Sequence, residues 1–172
     1  MVRSGPTFRV VDGEHIAGVW THVWVRSSHS GGAFYVRDLF VYADGAIRGP
    51  DLREGNLDGL AEAFARGRLA VADPAVERDF GAVEGSWAAR YPYALTPERF
   101  VAAARDEIER LNDRPTSSDL CWAALWRFYE DRVPGNLELL RAAYLVVPAH
   151  RRVFVLGDMD LQDLPLSPTR EN

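Results

Sequence analysis

The segment Gly18 to Arg26 alternates residue by residue, with Val19, Thr21, Val23 and Val25 on one parity and Trp20, His22, Trp24 and Arg26 on the other. A period of two belongs to an extended chain whose two faces meet different surroundings. After the loop Ser27-Ser28-His29-Ser30-Gly31-Gly32 comes a second run, Phe34 to Tyr42, rich in β-branched and aromatic residues. It meets Asp44-Gly45, a pair suited to the positive φ angles of a tight hairpin, before Ala46-Ile47. This part of the chain is therefore committed to an antiparallel meander, with Phe8 to Val11 a further strand.

Helical spacing takes over downstream. Asn56 caps a short helix with Leu57, Leu60, Ala61 and Phe64 as its apolar positions and Gly67 as its stop. Leu69 to Ala72 and Val83 to Ala88 read as short strands. Thr96 as cap, Pro97 at the first helical position and Leu95 facing Phe100 define a helix to about Leu111, with Phe100, Ala104, Ile108 and Leu111 buried. A third helix, from a cap at Ser118 or Asp119 to about Asp131, carries Leu120, Trp122, Leu125, Trp126, Phe128 and Tyr129. Being apolar nearly all round, it is expected to lie centrally, with Trp126 in the core. Pro134-Gly135 breaks it, and Asn136 caps a fourth helix bearing Leu137, Leu140 and Tyr144. Pro148 to Leu156 fits either period, and the leading proline favours helix.

At 172 residues, with 47% hydrophobic and 26% charged residues, the chain is able to bury a core of its own. No repeat or long linker interrupts it, so the expected architecture is a single α+β domain in which an N-terminal antiparallel β-meander packs against C-terminal helices. Residues 1–92 are mostly strands with one short helix, 93–165 mostly helices, and 166–172 a tail.

The formal net charge of -5 argues against nucleic acid and against an anionic membrane surface as partners, since both draw their affinity from clustered positive charge. All 20 basic residues are arginine and none is lysine. Schiff-base chemistry, pyridoxal phosphate attachment and a P-loop lysine are thereby excluded. The single cysteine, Cys121, sits in an apolar run as a buried small hydrophobe and allows no intrachain disulfide. The opening residues lack the apolar stretch of a signal peptide, and a cytoplasmic protein is expected.

Three groups of residues carry candidate chemistry. Trp20, His22, Trp24 and Arg26, joined by Arg37, offer indole walls and polar handles for an anionic or planar ligand, unless a helix covers them as core. Asp158, Asp160 and Asp163 are short-spaced carboxylates of the kind that holds magnesium or manganese, although a solvated acidic loop has the same composition. His22 and His29, with Asp158 and Asp160, are the candidates for proton transfer, His29 from a Ser/Gly-rich loop. The four histidines show no metal-ligand spacing, and a structural zinc is not expected. No nucleophile elbow or dinucleotide fingerprint is present.

The stretch FYVRDLFVYADGAI, then Trp87, the LTPERFVAAARDEIERLN helix and the VLGDMDLQDLP segment together resemble a family of bacterial proteins described as a domain of unknown function. The resemblance spans about Phe34 to Pro165 and implies a natural fold without implying an activity. The residues themselves favour a binding or accessory protein that holds a small ligand or a protein segment on the aromatic face of its sheet. The alternatives are an enzyme acting on a phosphorylated or other anionic small molecule, with Arg26, Arg37 and His22 in its pocket, and an immunity or inhibitor protein.

Overall fold

A computed structural model describes residues 4–28, 32–50, 52–72 and 95–156. The chain is α+β, and it divides into two compact units, Met1–Arg114 and Pro115–Asn172. Where the sequence predicts one core, the described residues build two buried clusters, one in each unit.

In the first unit, β1 (Ser4–Val11), β2 (Glu14–Arg26), β3 (Phe34–Tyr42), β4 (Ile47–Gly49) and β5 (Leu52–Gly55) follow one another across an antiparallel sheet. The Asp44-Gly45 turn forms as expected, with Gly45 at φ +83°. An equivalent signal, Asp12-Gly13, turns β1 into β2 with both residues at positive φ, 51° and 84°, as a two-residue hairpin of the matching twist requires. Such a hairpin exchanges both hydrogen bonds at the pair flanking the turn and at every second pair beyond it. Val11–Glu14, Arg9–Ile16, Thr7–Gly18 and Gly5–Trp20 are those pairs, so Pro6, opposite Val19, lies on the β1 edge facing away from β2.

The valine parity of β2 is the core side. Val23 and Val25 are buried with Leu39, Val41 and Ile47 from the neighbouring strands. They lie beneath α1 (Leu57–Ala65), which contributes Leu60, Ala63 and Phe64 to the cluster. After β6 (Leu69–Ala70), whose Leu69 pairs with Val25, α2 (Pro97–Leu111) adds Phe100, Ala104 and Ile108. The Phe64 and Phe100 rings meet edge to face, 5.4 Å between centroids. Both helices begin at the expected caps: Asn56 accepts from the Gly59 amide at 2.9 Å and Thr96 from the Arg99 amide at 3.3 Å. The α1 stripe turns differently from the expectation, since Ala63 is buried and Ala61 exposed. Asn112 donates to the carbonyls of Ala43 and Ile108, tying the end of α2 to the β3–β4 turn.

The second unit holds α3 (Ser117–Glu130), α4 (Pro134–Val146) and α5 (Ala149–Val155). Its cluster consists of Cys121, Leu140, Tyr144, Val147 and Val155, with Cys121 fully buried. Three expectations are corrected here. The α3 cap is Thr116, earlier than Ser118 or Asp119, because Thr116 and Asp119 form a reciprocal capping box. Pro134 occupies the first turn of α4, and Asn136 is a buried residue inside that helix, donating to the Asp131 carbonyl at 2.8 Å. The third correction is to α3 itself, which is not central: Trp126 is 60% exposed and Tyr129 54%. Arg152 donates to the carbonyls of Val147 and Leu145, closing the end of α4. No helix among the described residues is long and apolar enough to cross a membrane.

Candidate functional site

On the side of the sheet away from α1 and α2, strand alternation and register bring one set of side chains together. Across the strands, Gly5 is level with Trp20 and Phe40, His22 with Asp38, Trp24 with Val36, and Arg26 with Phe34. Trp20, His22 and Trp24 are half-buried, and Arg26 is exposed.

Half of this face is paved by its own rings. A side chain at Gly5 would stand 2.7 Å from the Trp20 indole nitrogen, and one at Gly18 would stand 2.6 Å from the Tyr42 ring. Each ring therefore lies flat across the neighbouring strand, over a residue that has no Cβ to lift it. Phe40 continues the layer, nearly parallel to Tyr42 at 6.5 Å between centroids. The Arg9 guanidinium lies 4.9 Å from the Tyr42 ring centre and is ion-paired to Asp44. Partial burial pushes the Asp44 carboxyl upward, but hydrogen bonds from Arg9 and the Ala46 amide, with the Arg9 charge, outweigh it and leave the group below the ordinary carboxylate range.

The other half is more open and carries His22, Asp38 and Arg26. The Trp20 and His22 rings are tilted against one another, 5.2 Å between centroids. His22 Nδ1 lies 3.0 Å from the Asp38 carboxylate, yet it makes no hydrogen bond there. The contact is close but off the bonding axis, so it becomes an ion pair only when the imidazole carries a second proton. Beyond His22 come Trp24 and then Arg26, at the end of β2.

The structure thus unites Trp20, His22, Trp24 and Arg26 as the sequence predicts, and separates Arg37 from them. Arg37 pairs with Val23, whose side chain is core, so it belongs to the opposite face, where its guanidinium lies 4.9 Å from the Tyr35 ring centre. Periodicity within each strand was sufficient to assign faces, but only the β2–β3 register decides which face of β3 adjoins which face of β2. Asp38, Phe40 and Tyr42 were missed for the same reason. His29, Asp158, Asp160 and Asp163 lie outside the described residues. Among the described residues, no group of three His, Cys, Asp or Glu side chains is placed to hold a metal.

Comparison with known proteins divides the chain where the contacts divide it. A family model described as a domain of unknown function, DUF7639, matches residues 116–170. No curated protein and no solved structure matches the chain. A second model, described as a domain of unknown function, DUF7638, matches residues 6–115, more than half of the length, and the chain belongs to that family.

Proposed function

We propose that the first unit is a binding module whose working surface is the open face of its sheet, in a chain that acts in the cytoplasm and does not itself catalyse a reaction. The observation that carries this is the contrast across β2. Val23 and Val25 are buried under helices, while Trp20, His22, Trp24 and Arg26, from the same strand, stay half-exposed or exposed. Indoles are costly to leave wetted, and rings held rigidly beside polar groups give contact area at little entropic cost when a partner arrives. The lone cysteine buried away from solvent is compatible with a reducing compartment.

The test is a small-molecule fragment screen read at the indole Nε1–H signals of the five tryptophans. Binding fragments should move the signals of Trp20 and Trp24 together. Arg26→Ala should leave stability within about 0.5 kcal/mol, as for most exposed substitutions, while changing those shifts. A screen whose hits perturb only Trp122 and Trp126 would remove the sheet face from consideration.

A further inference from the structure

We infer that the ligand of this face, if the binding reading above holds, is a planar ring system bearing a carboxylate or phosphate, the ring seated on Trp24 and the acid on Arg26. Charge on the face, which also carries Arg48 opposite Phe40, leads to this assignment. Of the carboxylates on this face, Asp44 is ion-paired to Arg9, Asp38 lies 3.0 Å from His22 Nδ1, and Glu14 stands at the opposite end of β2 from Arg26. Arg26 has no carboxylate beside it among the described residues; its cross-strand neighbour is Phe34 and its neighbour along the face is Trp24. A guanidinium flanked by rings repels a cationic ligand and bonds a neutral acceptor more weakly than an anionic one. Its planar fork of donors matches a carboxylate or phosphate in bidentate fashion. Residues two apart on a strand are about 7 Å apart, which sets the reach between ring and acid.

Arg26 also has a close neighbour in Gly32. Its guanidinium lies against the backbone of Gly32, where an added Cβ would stand 3.2 Å from both Nε and Nη2. Gly32 has φ +84°, a conformation that strains any residue with a side chain. A side chain at Gly32 would therefore crowd the guanidinium, which makes Gly32 a positioning residue for Arg26.

The experiment uses two matched pairs of acid and neutral compound, 2-naphthoate against 2-naphthamide and adenosine 5′-monophosphate against adenosine. Each is titrated into the full chain with the tryptophan indole signals as readout. In at least one pair the acid should bind about tenfold or more tightly than its neutral partner, the size expected of a charge-assisted hydrogen bond. Preference in the first pair identifies a carboxylate ligand, and in the second a phosphate. Arg26→Ala and Arg26→Gln should each bring the acid down to the affinity of its neutral partner. Gly32→Ala should shrink the ratio in the same direction while leaving the neutral member's affinity unchanged. Equal binding of acid and neutral at Trp24, or an acid preference that survives both Arg26 variants, overturns the inference and leaves the binding surface standing. No perturbation of Trp20 or Trp24 by any of the four compounds overturns both.

Discussion

At the scale of single residues, the clearest energetics lie in the α3 capping box. The Asp119 carboxyl is held below its ordinary 3.8, first by the Thr116 backbone amide and then by the Thr116 hydroxyl, with slight burial opposing. A group whose folded-state value is depressed contributes stability that is fully present above its unfolded value and is lost as pH falls through the folded one. The α3 cap should therefore be intact at pH 7 and weaken below the ordinary carboxylate range. Thr116→Ala should cost about 1 kcal/mol at pH 7, the usual size of a lost helix cap. Asp119→Asn should flatten the acid limb of the stability profile, and urea midpoints at pH 7 and pH 3 in the three proteins compare the two effects directly.

Among whole elements, what the sequence disclosed depended on how local the cause was. Some caps and turns made by two or three adjacent residues were legible, since Asn56, Thr96 with Pro97, and Asp44-Gly45 all act where they were expected, whereas the caps of α3 and α4 were placed two or three residues late. The site was half legible, because alternation exposes the two faces of β2 while the partner residues of β3 follow from register. Burial of α3 was misjudged because apolar content measures what a helix is able to bury, whereas exposure depends on which neighbours reach it. The structure reverses the expectation for Trp126, whose rings are neighboured by Trp122 and Tyr129 on the exposed helix surface. Trp126→Ala should change stability by less than about 1 kcal/mol, in contrast to the 3–5 kcal/mol typical of a buried aromatic. Gly18 carries the opposite expectation. A Cβ there would stand 2.6 Å from the Tyr42 ring and 2.9 Å from the Val41 carbonyl oxygen, and the backbone atom has little room to move. Gly18→Val should destabilise the first unit by about 1–3 kcal/mol, the usual cost of overpacking. Thermal melts of both variants beside the parent protein test the pair.

For the molecule as a whole, the division at Arg114 and Pro115 matters most. Among the described residues, the buried cluster of the first unit runs from Val23 to Ile108, all within residues 1–114. A fragment of residues 1–114 should fold cooperatively by itself, with a circular-dichroism spectrum dominated by strand and a sigmoidal melt. A non-cooperative melt would show that the sheet depends on the rest of the chain. Pro6 has a consequence at this same scale. β1 is an edge strand among the described residues, and the Phe8 and Val10 side chains beside that edge are 60% and 57% exposed, so a second molecule would find apolar surface as well as free peptide groups there. Proline interrupts the row of donors midway, and a newcomer cannot zip along the strand past it. At this edge the proline therefore opposes the joining of one molecule's sheet to another's.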